Sequence, residues 1–578
     1  MTIATPTTDP LELQVALQQR ADYIPIEDLS QETSEAGDLF QKVFRELINR
    51  GLRTLVGPRG CGKTHLMRYT WLQCRNTMTR PFAVFVSFNR YFRLEPLLSS
   101  QAGALEQFHS WVLARTILSI LDSANEWQPK LSVADLLPDG LSPTELQTFV
   151  NRVERSVPPD TDSALVGRAL SIDLVQKLAS ATRERAERKH TILLMDDAAL
   201  TLTPDYLVEF LDIVRSLKTV DLAPKASVYP GTTEMSPRFH EGQDSIAVPV
   251  WLSVEDPAYE KVIDGIARAR VRTFDQIPDD AKATLRFAAF GIPRAYLTML
   301  DEFGRGGFAS TQQGVSRIIQ HHLDARVGEF RSLGTKVPKL DSLVVAGEAV
   351  LEAMAKEIKT ANDVSASRDL RQLTYGVVES DLTPIVERMF RLLIEAGLVY
   401  DNGTVKHGTP ERIYRRYIPH AALLISIRAL GGGTAGGSLR QTIDAIARKS
   451  EKHPVRKGLQ RAVPNLDLSQ LSFSLPKCAA CGTTRITDSQ RFCHHCGQML
   501  VEASTFAKCL DTRIDDVPGL SDWQRNQITQ FLPAYRTLRD FLAKQDPAAD
   551  LLTVRGFGRQ RTTKIVDVLN GFVDEYLS

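Results

Sequence analysis

The stretch "TLVGPRGCGKTHLMRY", residues 54–69, decides how this chain is read. A short apolar run enters a loop with glycines at Gly57, Gly60 and Gly62, and Lys63-Thr64 follow at once. A turn alone needs one glycine, and a surface loop has no use for a lysine at that fixed offset. Residues 57–64 fit G-x-x-x-x-G-K-[ST], with a strand before and a helix after, which is the context of a P-loop. Glycines let backbone N–H groups converge on phosphates, and the helix start adds its positive dipole end. The predicted cradle is Gly57, Pro58, Arg59, Gly60, Cys61, Gly62, Lys63, Thr64 and His65. Lys63 is expected to reach the β- and γ-phosphates of ATP, and Thr64 to ligate Mg2+.

A P-loop needs a carboxylate on a neighbouring strand. "HTILLMDDAAL", residues 190–200, offers an apolar run ending in Asp196-Asp197. Asp196 is expected to hold Mg2+ through water, and Asp197 to orient or deprotonate the attacking water. Downstream, "KASVYPGTTEMSPRF" (225–239) reads as a strand ending in Thr232-Thr233, followed by a short segment with Arg238. "SIAVPVWLSVED" (245–256) reads as a fifth strand, and "GIPRAYL" (291–297) puts Arg294 at a helix start. Between the strand "PFAVFVSFN" (81–89) and the acidic strand, "LEQFHSWVLARTILSILDSA" spaces its apolar residues at three and four. That insert reads as helical, with His109 and Trp111 as packing residues.

In this order the motifs resemble the AAA+ family of ATPases, and within it the initiator and STAND-like branches, over residues 20–360. The resemblance implies a parallel sheet with flanking helices and a helical lid. It puts the sensor 1 role on Thr232 or Thr233 and the sensor 2 role on Arg294. It makes Arg238 the candidate for an arginine that reaches a neighbouring subunit's ATP, hence a homo-oligomer. One departure matters: most of the family end the second motif in Asp-Glu, and here it is Asp196-Asp197. The shorter side chain stands about one methylene further from the water, so slow hydrolysis is expected, with ATP as a switch.

A chain of 578 residues is too long for one core and implies three or more domains. Net charge is +1, so any nucleic-acid surface must be local. The N-terminus is polar, unlike a secretory signal, and no apolar run approaches the roughly 18 residues that span a bilayer. Five of the seven cysteines cluster late, which reads as a metal site in a reducing compartment. The expectation is a cytoplasmic protein without membrane partners.

The C-terminal third carries four further signals. Residues 381–430 run helix, Ala-Gly, apolar strand, Asn-Gly turn and basic strand, the order of a winged helix, with Arg412, Arg415 and Arg416 available to phosphates or the module packing on the ATPase. "GGGTAGGS" (431–438) reads as a flexible linker, and the basic stretch after it as a solvated helix or a phosphate-contacting arm. "CAACGTTRITDSQRFCHHCGQ" (478–498) is a C-x2-C-x11-C-x2-C array. Cys478, Cys481, Cys493 and Cys496 are expected to close a structural Zn2+ site, with His494 and His495 flanking. Last, "VRGFGRQRTTKIV" (554–566) resembles a helix-hairpin-helix motif, and "VPGLSDWQRNQI" (517–528) repeats its frame with Ser521 in place of the second glycine. The pair resembles the tandem domain that grips double-stranded DNA. This implies contacts from Gly556 and Gly558, with Arg555, Arg559, Arg561 and Lys564 around them; a protein-binding hairpin is the other use of the fold.

The expected fold class is multidomain α/β: an AAA+ P-loop core plus helical lid, winged helix, small zinc ribbon and all-α helix-hairpin-helix domain. The boundaries drawn are an N-terminal segment 1–40, a core 41–256 with helical insert 100–188, a lid 257–360 and a winged helix 361–430. Then come a linker with basic segment 431–474, a zinc ribbon 475–500 and the tandem hairpins 505–578. The expected function is an ATP-dependent ATPase that assembles on or surveys duplex DNA. The alternative is an ATP-switched scaffold whose C-terminal modules bind protein partners. No nuclease, protease or cyclase signature is visible.

Overall fold

The computed structural model describes residues 24–576 apart from 31–32, 34–37, 101–102, 156–160, 198–203, 366–367, 409–411, 431–437, 487–489, 491, 499, 501–504 and 545. Most of the segment 1–40 and of the glycine linker lies outside the described residues.

The strands β1 (Arg53–Val56), β2 (Phe82–Ser87), β3 (Thr191–Asp196), β4 (Leu222–Val228) and β5 (Ile246–Pro249) form one parallel sheet in the order β2-β3-β4-β1-β5. The chain is thus mixed α/β with a central five-stranded parallel sheet. β3 reads TILLMD and is buried along its whole length, as a strand covered on both faces must be. β4 breaks the usual rule by carrying Pro224 and Lys225 inside the sheet. The Lys225 ammonium is satisfied by the carbonyls of Asn49 (2.7 Å) and Gly51 (2.5 Å), and burial pulls its pKa down to about 7.

The strand expected to end in Thr232-Thr233 begins before Lys225 and ends at Val228, so both threonines sit in the turn beyond it. The hydroxyl at the end of β4 is therefore Ser227, which the longer strand concealed. The segment between β2 and β3 is helical, with helices Ala104–Trp127, Pro143–Glu154, Thr161–Ala169 and Ile172–Arg185. Trp111 is fully buried there and donates to Glu154 Oε1 (3.2 Å), while His109 pairs with Glu209 (2.6 Å).

Five helices follow the sheet, Tyr259–Arg270, Asp279–Ala288, Pro293–Arg305, Thr311–Lys336 and Asp341–Ser365. The last crosses the boundary expected at 360 without a break. After the short β6 (Leu370–Arg371), the strands β7 (Tyr375–Val378), β8 (Val399–His407) and β9 (Arg412–Pro419) form an antiparallel sheet in the order β7-β9-β8, with the helix Pro384–Glu395 between β7 and β8. Asn402-Gly403, expected as the hairpin turn, is a bulge within β8, where the register shifts between Asp401 and Thr404. Gly403 takes φ 72° there.

The basic stretch is not a free solvated helix. It forms the helix Leu439–Ala447, the strand β10 (Lys449–Ser450) paired in parallel with β6, and the helix Leu459–Ala462. Ala445, Leu459 and Val463 are buried in the same core as the helices Asp279–Ala288 and Asp341–Ser365. Its apolar residues anchor it, and the charges alone concealed this.

Candidate functional site

Each part of the loop 57–62 has a local cause. β1 ends at Val56, and Gly60 and Gly62 take φ 87° and 85°, the left-handed region that side chains disfavour. At Gly57 the constraint is space, since a Cβ would stand 2.9 Å from Val250 Cγ2. The helix Lys63–Asn76 starts at Gly62 with no side-chain cap, so its first N–H groups face the loop's concavity. Lys63 Nζ donates to the carbonyls of Gly57 (2.6 Å) and Pro58 (3.1 Å) and lies 4.8 Å from the centroid of the Tyr229 ring. Burial lowers the Lys63 pKa, while Cys61, Asp196 and Asp197 oppose the shift. Burial pushes the Cys61 thiol up to about 12, so it lines the loop as a neutral group.

Across the sheet edge, Asp196 closes β3 and is almost fully buried. Ser227 Oγ donates to Asp196 Oδ1 (2.6 Å) and accepts from the backbone N–H of Asp197 (3.0 Å). This hydroxyl fixes both acidic residues, and Asp197 takes φ 54°, an uncommon value outside glycine. Three buried oxygens at the C-terminal ends of β2 and β3 and beyond β4 have no hydrogen-bond partner among the described residues: Ser87 Oγ, Asp196 Oδ2 and Thr232 Oγ1. Buried polar atoms are normally paired, so orphans gathered at this edge mark where a polar ligand belongs. Thr233, by contrast, is engaged with Glu241 Oε2 (2.8 Å). Asp196, with a carboxylate oxygen left over, and Thr64 at the helix start are the residues that would hold Mg2+.

Arg294 lies against the loop: its N–H donates to Gly60 O (3.4 Å), and its Cβ would stand 3.4 Å from a Cβ built on Gly60. Arg238 is not brought into the site. It stands 71% exposed on the loop between β4 and β5, paired with Asp212 (3.1 Å). His65 turns to Thr33 Oγ1 (2.7 Å), and burial takes its pKa down to about 4, which leaves it neutral. Sequence reasoning missed Ser87 and Ser227, whose only signal is a small hydroxyl residue near the end of an apolar strand. The three-stranded module closes on the loop. A Cβ at Gly397 would stand 2.8 Å from Ile292 and 3.8 Å from Pro58, and Arg391 pairs with Glu234 (2.6 Å) beside Gly231.

The four late cysteines converge, with all sulfurs within 4.8 Å of one another. Cys478 and Cys496 stand 3.6 Å apart, and Cys481 and Cys493 3.5 Å. A tetrahedron with ~2.3 Å bonds has edges of about 3.8 Å, so the set fits Zn2+. Each pair sits in the same turn: Gly482 N–H donates to Cys478 O (2.8 Å) and Gly497 N–H to Cys493 O (2.9 Å), both glycines being left-handed. Among the described residues, Leu500 joins Cys478 and Cys493 in a small buried cluster.

In the tail, helices Asp522–Phe531 and Arg559–Glu575 each follow a glycine loop, with Gly519 at φ 90° and Gly556 at φ 94°. The loops pack reciprocally: Gly519 faces Val568, and Gly556 faces Trp523. Arg555, Gly556, Gly558, Arg559, Arg561 and Lys564 are all exposed. Arg561 donates to Gly556 O (2.9 Å) and covers the Trp523 ring (5.3 Å). The tail rests on the body just after β2, where Phe506 N–H donates to Glu95 (2.8 Å) and Tyr91 packs against the tail's core. No helix among the described residues is long and apolar enough to cross a membrane.

No protein-family model matches the sequence, and no curated protein matches it. Among solved structures the chain is similar to a Walker-type ATPase of Pyrococcus abyssi, at 14% identity and a TM-score of 0.35, over 68% of this chain and 96% of that one. It is also similar to the Orc1 protein of Aeropyrum pernix in complex with DNA, at 13% identity and a TM-score of 0.27, over 72% and 95%.

Proposed function

We propose that this chain is an AAA+ ATPase that binds double-stranded DNA, with ATP acting as a conformational switch. The observation that carries the reading is the loop 57–62 with its uncapped helix start, set opposite a buried Asp196 that keeps one oxygen unfilled. The loop's N–H groups and Lys63 receive the phosphates, and Asp196 with Thr64 holds Mg2+, which neutralises phosphate charge. Asp197 orients the water, Thr232 senses the terminal phosphate, and Arg294 follows the lid. Because Asp197 is a short carboxylate, turnover is slow.

The C-terminal modules supply DNA affinity. The second hairpin offers bare N–H groups at Gly558 and the cations Arg555, Arg559, Arg561 and Lys564 to phosphate oxygens, without reading sequence. The four-cysteine ribbon holds one structural Zn2+, and the sheet β7-β9-β8 acts as a winged helix. The protein works in the cytoplasm as a homo-oligomer with companion proteins, Arg238 being the candidate finger. Steady-state ATP hydrolysis with and without random-sequence duplex, at two salt concentrations, tests this. Stimulation that fades with salt supports it, and a flat, very low rate removes the DNA-controlled ATPase.

A second reading, an ATP-switched scaffold for protein partners, is favoured by the fit of Gly397 against Ile292 and Pro58. A module seated on the phosphate loop is placed to respond to the nucleotide without any DNA.

A further inference from the structure

The stretch that follows the glycine linker pairs in parallel with β6 through β10 and then meets β7 in an isolated bridge between Val455 and Tyr375. Glu451 N–H donates to Arg371 O (2.7 Å), Val455 N–H to Thr374 O (2.9 Å) and Gly376 N–H to Val455 O (2.8 Å). This strap brings basic residues together from three separate parts of the chain. His407 ends β8, and Arg412, its register partner, begins β9. The His453 ring of the strap lies 5.5 Å from that of His407. Burial lowers the His407 pKa, and the nearby Arg456 and His453 lower it further, so basic groups face the His407 ring.

Arg412, Lys452 and Arg456 are exposed and carry no ion pair among the described residues. Between 449 and 461 the strap has five Lys and Arg against one acid, Glu451, whose carboxylate accepts the Lys452 N–H (3.1 Å). Arg415 and Arg416 are already committed, to Asp401 (2.6 Å) and to Asn402 O (2.7 Å). The basic face of this module is therefore the hairpin end plus the strap, and not the strand centre.

We propose that this face, built from Arg412, Lys452, His453 and Arg456 beside His407, is a second contact for double-stranded DNA, separate from the C-terminal hairpins. The backbone beneath it is fixed by sheet hydrogen bonds, so a rigid polyanion can lie across it with little ordering cost. An acidic peptide would first have to give up its own chain entropy. Binding here is to phosphates and blind to sequence, and each phosphate neutralised adds about 0.9 to the salt slope.

The test is duplex affinity of the full chain against salt, using a random-sequence duplex, for the parent, Lys452→Glu/Arg456→Glu, Arg555→Glu/Arg559→Glu and the combination. The strap pair should lower the slope of log K against log salt by about 2 and weaken binding by at least ~10-fold at 0.1 M salt, with either tail. Lys452→Gln/Arg456→Gln, a milder change, should lower the slope equally and guards against a folding defect. An unchanged slope in both strap variants, no duplex binding by the parent, or equal competition by polyglutamate would overturn the proposal. If only the tail variants lose affinity, the hairpin reading stands and this one falls. The reverse result removes the hairpins and keeps the strap.

Discussion

Two helices at opposite ends of the chain begin in the same way and in opposite surroundings. The helix Lys63–Asn76 starts at Gly62 and the helix Arg559–Glu575 at Gly558, neither with a side-chain cap. At Gly62 the bare N–H groups face a site where Lys63 is desolvated and Asp196 is buried. At Gly558 they face solvent among exposed arginines. The first hairpin of the tail supplies the contrast: its helix starts at Ser521, whose side chain and that of Gln524 form a capping box, with Asp522 next. One glycine-to-serine difference separates a helix start that can accept an external anion from one already satisfied by its own chain. Electrostatic attraction is worth most where water is excluded, so the Gly62 site should be strong and the Gly558 site weak and salt-sensitive.

The sharpest way to break that comparison is at the buried end. Lys63→Ala removes a charge-assisted donor and should weaken ATP binding by about 100-fold or more, an effect of ~3 kcal/mol. Isothermal titration reads it directly, and unchanged affinity would mean that the loop does not hold phosphate. Asp197→Asn should keep nucleotide affinity within about threefold while hydrolysis falls by about 100-fold. Undiminished turnover would take Asp197 out of the reaction and leave it a strained turn residue held by Ser227.

How far the sequence was legible follows from the range of the physics at each place. The loop 57–64, the Asp196-Asp197 strand end and the paired cysteines were readable because local spacing dictates their geometry. The uncapped Gly558 and capped Ser521 were also local signals. Ser87 and Ser227 were not legible, since a hydroxyl near a strand end acquires meaning only when the parallel register sets it beside a carboxylate. The bulge at Asn402-Gly403 was misread because Asn-Gly favours a hairpin turn, while the pairing continues past it to His407 and Arg412. The stretch 438–461 was legible only in part: its charge was weighed and the burial of Ala445 and Leu459 was not.

The smaller effects sharpen the comparison inside the tail. Ser521→Ala deletes the cap of the first hairpin's helix and should cost about 1 kcal/mol of tail stability, read by thermal melting. Duplex affinity should stay within twofold, because those N–H groups serve the fold. Loss of binding in step with the cap would instead make the first hairpin a phosphate site.

Gly558→Ser is the converse change, and the subtlest. Gly558 has φ −89° and ψ 172°, which serine adopts readily, and nothing lies within 4 Å of a Cβ built there. The new hydroxyl should cap the helix and raise tail stability by a few tenths of a kcal/mol. It would do so by occupying an N–H group proposed for a phosphate, so duplex affinity should fall about three- to fivefold, ~1 kcal/mol. A variant that is both more stable and weaker in binding has no explanation in damaged folding, which makes the opposite signs the informative part. If stability rises and affinity does not move, the N–H groups at Gly558 carry no phosphate. The tail's affinity, if it has any, would then come from its arginines alone.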